Sequence, residues 1–203
     1  MRHTRLWILL GGIFLISAAF LLLDFRVAAS NTQAIQKIIT TELEGNYPDP
    51  LQRNDKISLV LVGEGPLVGA LPKALTEKLG KAGLGELELA QELEPGYPNP
   101  VLVVTVGRPS QIWAPFFAMS QFSVHVGYAT NGDPTFLEVL DKTQPYIRNP
   151  DPSVVNLYTE YEGNDRSFGL ISRPGYQQYL ADYLAQEIVQ ALKNLYNIQD
   201  MGG

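Results

Sequence analysis

The chain reads as an α+β protein: an N-terminal transmembrane helix followed by one mainly antiparallel sheet with helices packed on one face. Three observations carry that expectation. Two apolar, β-branched runs, ISLVLV at 57–62 and VLVVTV at 101–106, have the composition of core strands. Phe122, Val124, Val126 and Tyr128 alternate with Gln121, Ser123, His125 and Gly127, the period of a strand with one wet face. A stripe of Tyr176, Tyr179, Leu180, Tyr183, Leu184, Ile188, Leu192 and Leu195 recurs at helical spacing near the C-terminus.

Taken in order, residues 6–23 carry no charge and are long enough, at about 1.5 Å per residue, to match a bilayer core. Arg2 and Arg5 precede the stretch and Asp24 and Arg26 follow it, so the positive-inside rule places residues 1–5 in the cytoplasm. The C-terminal domain is then periplasmic or extracellular. A signal peptide cleaved near Val27-Ala28-Ala29-Ser30 is the competing reading, and it exports the same domain. Residues 31–55 are expected as a juxtamembrane helix and linker. Asn31 or Thr32 would cap the helix, Ile35, Ile38, Ile39 and Leu43 would share one face, and Tyr47-Pro48-Asp49-Pro50 would end it.

The domain proper is expected over 56–203. Its first strand, 57–62, leads through glycines to a helix over 70–82, with Pro72 in the first turn and Gly83 as C-cap. Leu87 and Leu89 suggest a short strand, followed by 101–106 and by 121–130, which Asn131-Gly132 closes with a turn. Four prolines make 133–152 a loop with one helical turn near 136–140. Residues 154–161 and 167–172, separated by Glu162-Gly163-Asn164-Asp165, read as a hairpin. Ser172 and Pro174 open the final helix, which runs to about 197. Pro-Asn and Pro-Asp tetrapeptides at 47–50, 97–100 and 149–152 read as reused turn chemistry rather than a repeat.

Composition narrows the chemistry. The chain has no cysteine and two histidines, His3 and His125, which excludes thiolate catalysis, Cys-ligated zinc and a histidine-rich metal site. No cofactor is called for. Beyond residue 26, 12 basic residues face 20 acidic ones with no basic run, which argues against nucleic acid as a partner.

Three groups of residues carry functional readings. Gly63, Gly65 and Gly69 lie between a strand and a helix, where backbone amides could meet a phosphate, although Glu64 and Pro66 work against that use. Ser123 and His125 share a strand face and could act as nucleophile and base with Asp133 as the orienting acid; no GxSxG elbow accompanies them. Glu92, Glu94, Glu160, Glu162 and Asp165 are read as solvated charges. Trp113, Phe116, Phe117 and Met119 cluster around a proline, either capping the core or presenting a surface to a protein partner. The favoured function is a non-enzymatic, membrane-anchored accessory or assembly subunit that binds another envelope or membrane protein through this cluster, with the bilayer held by 6–23. An anchored hydrolase or small-ligand-binding domain is the alternative.

Overall fold

The computed structural model describes residues 2–41, 56–90, 96–144, 146–148, 151 and 153–200. The end of the predicted juxtamembrane helix, the linker after it to residue 55, and the pair Glu92 and Glu94 lie outside them. The elements run α1 (Arg2–Leu22), β1 (Arg26–Thr41), β2 (Lys56–Val62), α2 (Pro66–Ala82), β3 (Glu86–Ala90), β4 (Val101–Val106), β5 (Ser110–Ala114), β6 (Phe117–Ala129), α3 (Phe136–Val139), β7 (Tyr146–Ile147), β8 (Asn156–Ile171) and α4 (Arg173–Asp200).

The strands form one eight-stranded sheet in the order β3-β2-β4-β6-β8-β1-β7, with β5 paired to the first half of β6. The sheet is mixed rather than mainly antiparallel: β2 runs parallel to both β3 and β4, and β1 runs parallel to β7. The cause is local. A strand that returns beside its predecessor through a helix must lie parallel to it, and α2 is that helix between β2 and β3. Pro66 in its first turn starts α2, and Gly83 in the left-handed region (φ 66°) ends it.

The second correction concerns the N-terminus. Among the described residues no helix is long and apolar enough to cross a membrane, so the expected transmembrane span over 6–23, and the single-pass topology built on it, is not supported. The last turn of α1 rests on the domain: Phe20 meets the ring of Phe25 edge-on at 5.0 Å and Phe116 at 6.4 Å.

Residues 31–41 form strand rather than juxtamembrane helix. The spacing of Ile35, Ile38 and Ile39 suits a helix, but β1 pairs antiparallel with β8 without interruption from Arg26↔Ile171 to Thr40↔Leu157. Fifteen consecutive cross-strand pairs outweigh a weak local preference. The expected hairpin inside 154–172 is likewise one continuous strand. Its turn-like residues serve packing instead. A Cβ at Gly163 would come within 2.6 Å of the Phe122 ring and 2.8 Å of the Gln33 carbonyl, so glycine lets three strands close up there. Asp165 is fully buried and hydrogen-bonded.

Register divides the sheet into two faces. One carries Leu59, Leu102, Val104, Phe122, Val126, Tyr128, Leu157 and Tyr161 and is covered by Leu71, Leu75 and Leu79 of α2 and Leu184, Ile188 and Leu192 of α4. This is the core. Among the described residues the opposite face is covered at one end only, where Phe136, Leu137 and Leu140 pack over Val103, Ile39 and Tyr158. The rest of that face, on β5, β6, β8 and β1, is open.

Candidate functional site

The open face has an apolar end and a polar middle. At the apolar end β5 and β6 form a hairpin turned by Pro115 and Phe116, with Ile112 opposite Met119 and Ala114 opposite Phe117. Phe117 in turn faces Phe168 of β8, ring centroids 5.1 Å apart, and Phe168 faces Ala29 of β1. Ile112 is 62% exposed, Phe116 67% and Phe168 59%, and Leu170 and Val27 beside them are exposed too. A contiguous patch of this kind, built on strands rather than on a mobile loop, is the usual mark of a contact surface.

Of the four predicted contact residues, Phe116 is exposed at the turn, and Phe117 and Met119 are half-buried on the open face. Trp113 points the other way. It packs against the core, and its indole N–H donates to the carbonyl of Ile171 at 3.2 Å. Alternation alone separates Trp113 from its neighbours, because side chains on β5 leave on opposite faces in turn. Phe168, Leu170 and Val27 complete the patch and were not singled out in the sequence. The alternating residues of 166–170 hold the signal once β8 is one strand.

In the polar middle, Ser123 and His125 do share a face, with Ser123 Oγ 3.4 Å from His125 Nε2. Asp133 is not beside them; its carboxylate accepts the amide of Thr135 at 2.9 Å in the loop after β6. The acid next to the imidazole is Glu160, directly across in the register of β6 and β8, with Oε1 3.2 Å from Nδ1. Tyr158 Oη lies closer to the same nitrogen, at 2.8 Å. Lys142 stands over the Tyr158 ring and 4.0 Å from Glu160, and the tyrosine hydroxyl raises the pKa of the lysine.

Nδ1 is hydrogen-bonded to Tyr158 with Glu160 beside it, and Nε2 faces Ser123, an arrangement that resembles the base of a hydrolase with a tyrosine where the orienting acid stands. β6 pairs with β8 along its length, but on its other edge the β5 register ends at Gln121 and the β4 register begins at Val124, and at Ser123 the carbonyl accepts from the Gly107 amide at 2.9 Å. Arg108 and Gln121 line the same open groove of about 420 Å³ beside Ser123.

The glycine loop is explained by packing. Gly63 has φ 130°, and a Cβ there would lie 2.5 Å from the carbonyl oxygen of Val106. Gly65 precedes α2 with φ 107°, and Gly69 lies within the helix, its amide donating to the Gly65 carbonyl at 3.3 Å.

Behind the open face, α4 is pinned by a buried carboxylate. Asp165 accepts from Thr32 at 2.7 Å, Ser167 at 2.9 Å and Tyr176 at 2.9 Å. An ionised carboxylate only accepts, and each hydroxyl has a single proton, so every donor must itself be supplied by the next group. Tyr179 therefore donates to Thr32, and Arg26 to Ser30, which donates to Ser167. Two relays thus converge on Asp165, from α4 through Thr32 and from β1 through Ser167, and Tyr176 donates to it directly. Nearby, burial pushes the Tyr161 phenol up to about 12, and burial with Tyr196 at 2.6 Å raises Tyr128 well above its ordinary value.

No family model and no curated protein matches the chain. Among solved structures it is similar to a dodecamer of a PelC point variant from Paraburkholderia phytofirmans, at 15% identity over 78% of this chain and 97% of that one, with a TM-score of 0.35. A minor lipoprotein from Acinetobacter baumannii is similar at 15% identity, covering 68% of this chain and 91% of its own, with a TM-score of 0.32. Likenesses at these scores do not bear on what this chain does.

Proposed function

We propose that this chain is an envelope-associated, non-catalytic interaction domain, an accessory or assembly subunit that docks another envelope protein on the apolar end of its open sheet face. The observation that carries the proposal is the apolar cluster of Ile112, Phe117 and Phe168, mounted on the three paired strands β5, β6 and β8. Large aromatics held rigidly lose little entropy on docking and dominate the energetics of contact surfaces. The cluster is also continuous with α1 through the Phe20–Phe116 contact, and α1 leaves Phe14, Leu15 and Leu22 exposed. Such an apolar tract belongs against a membrane surface or a partner, and an envelope-associated subunit meets both.

The test is a photoreactive side chain placed at Phe116 or Phe168 in native cells, with Lys73 on the exposed side of α2 as control. A single protein adduct of fixed mass from both patch sites, identified by mass spectrometry and absent from the control, is the expected result. Adducts to lipid alone, to a second copy of the chain, or to nothing would each overturn it. The variants Phe116→Ser and Phe168→Ser should remove the adduct while leaving thermal stability within about 0.5 kcal/mol of wild type, as exposed substitutions do.

One observation favours a second reading, hydrolysis of a small ester at Ser123 with His125 as base: Ser123 Oγ lies 3.4 Å from Nε2, while Tyr158 at 2.8 Å and Glu160 at 3.2 Å hold Nδ1. Turnover of an activated ester that disappears in both Ser123→Ala and His125→Ala would put this reading first. Turnover that survives either change would remove it.

A further inference from the structure

One long edge of the sheet has no described strand beside it. Gly169 donates to the Phe116 carbonyl at 3.1 Å and Ile171 to that of Pro115 at 2.9 Å, so Phe168 and Leu170 turn their peptide groups to β1. Their partners Ala29 and Val27, and the residues of β1 that alternate with them, bond to β8; Ser172 donating to the Phe25 carbonyl keeps the same phase. Arg26, Ala28, Ser30, Thr32, Ala34 and Gln36 therefore point N–H and C=O outward. Among the described residues the strand on that side is β7, which meets β1 only at Thr40 and Thr41.

Exposed sheet edges are ordinarily kept from pairing by charge, proline, a bulge or shortness. β3, at the opposite edge, is short and carries Glu86 and Glu88. β1 has no charge or proline from Val27 to Gln36, and its register with β8 runs without a bulge. A row of backbone donors and acceptors this long is matched by another extended backbone, not by a helix or a small molecule. The edge strand of matching length is β1 itself, since β3 and β5 offer five residues each.

Self-pairing about a two-fold axis is antiparallel, and the side chains select its register. With the axis at Asn31, Val27 (73% exposed) stands opposite Ile35 (79% exposed) of the second copy on the open face, and Ala28 opposite Ala34 on the covered one. Lys37 then falls opposite Phe25, one residue from Asp24 of the other copy, whereas in-register parallel pairing would set Arg26 against Arg26. Slipping the strands by two residues either way sets Val27 against Gln33 or Lys37.

We infer that β1 pairs with β1 of a second copy, antiparallel and centred on Asn31, joining two sheets into one. Both apolar patches then lie on the same side of the joined sheet. The contact is separate from the docking surface proposed above: Phe168 stands two strand spacings, about 10 Å, from the second copy's strand, and Phe116 stands further away.

The experiment exploits a chain without cysteine, in which one substitution supplies the only thiol. Asn31→Cys and Ala29→Cys both change exposed residues of the open face. Under mild oxidation of the full chain, Asn31→Cys should convert to a disulfide-linked dimer, because the two side chains meet across the axis. Residue 29 and its copy are four positions apart along the strands, about 14 Å and beyond disulfide reach, so Ala29→Cys should remain unlinked. In the wild-type chain, sedimentation equilibrium should show a monomer–dimer transition. Across it, amide exchange at Ala28, Ser30, Thr32 and Ala34 should slow at least about tenfold, while Val27, Ala29 and Asn31 stay protected throughout. A chain that remains monomeric, equal linking of both cysteine variants, or a dimer whose outward amides still exchange freely would overturn the inference. Outward amides protected at every concentration would assign the edge to another segment of the same chain and overturn it too.

Discussion

Asp165→Ala removes the one acceptor on which three hydroxyl donors converge. The carboxylate takes bonds from Thr32, Ser167 and Tyr176 at 2.7–2.9 Å in a fully buried setting. Charge-assisted bonds of this kind contribute about 1.5–3 kcal/mol each, while keeping a carboxylate away from water costs several kcal/mol, so the net loss on truncation is about 3–5 kcal/mol. Asp165→Asn behaves differently. Its amide oxygen can keep Ser167 and Tyr176 while its NH₂ faces Thr32, whose hydroxyl turns to donate to Tyr179, itself half-buried with access to water. That exchange costs about 1–2 kcal/mol. Urea denaturation followed by circular dichroism measures both. On heating, the alanine variant should melt roughly 6–20 °C lower, at about 2–4 °C per kcal/mol for a chain of this size. If alanine falls within about 0.5 kcal/mol of wild type, or if asparagine is as damaging as alanine, the directed network is wrong.

Two further outcomes follow from packing and ionisation. Gly163→Ala should destabilise by about 1–3 kcal/mol, since its Cβ would meet Phe122 at 2.6 Å and the Gln33 carbonyl at 2.8 Å; a neutral result in the same denaturation assay would contradict the tight approach of β1, β6 and β8. The Tyr161 phenol is raised from an ordinary 10.0 to about 12, so the unfolded chain loses this proton first as pH rises. Stability from Tyr161 is therefore complete below pH 10 and is lost as pH climbs toward 12, and Tyr161→Phe should flatten the decline in urea midpoint across that window.

The strands at 57–62 and 101–106 and helix α4 were legible because burial on two faces or on one stripe writes itself into consecutive residues. β1 and β8 were not, because their structure comes from each other. Ile35, Ile38 and Ile39 fit helix and strand alike, and only pairing with a segment more than 100 positions away decides between them. Gly163 and Asn164 carry turn composition, yet the glycine is there for close approach of its neighbours. The same limit governs the polar site: the common face of Ser123 and His125 follows from a period of two, whereas Glu160 enters only through the register of β6 and β8. Trp113 and Phe116 were grouped by proximity in the chain, and alternation along β5 sends the indole to the core.

The pairing of β1 with β8 also sets a schedule for biogenesis. Arg26 cannot meet Ile171 until 145 further residues have been made, which takes roughly 7–30 s at typical synthesis rates of about 5–20 residues per second. During that interval β1 has neither the strand beside it nor the helix that covers it, and Val27 to Gln36 is a stretch without charge or proline to discourage pairing with other chains. The sheet is thus closed only once β8 has been made, and until then β1 offers an unpaired, uncharged edge.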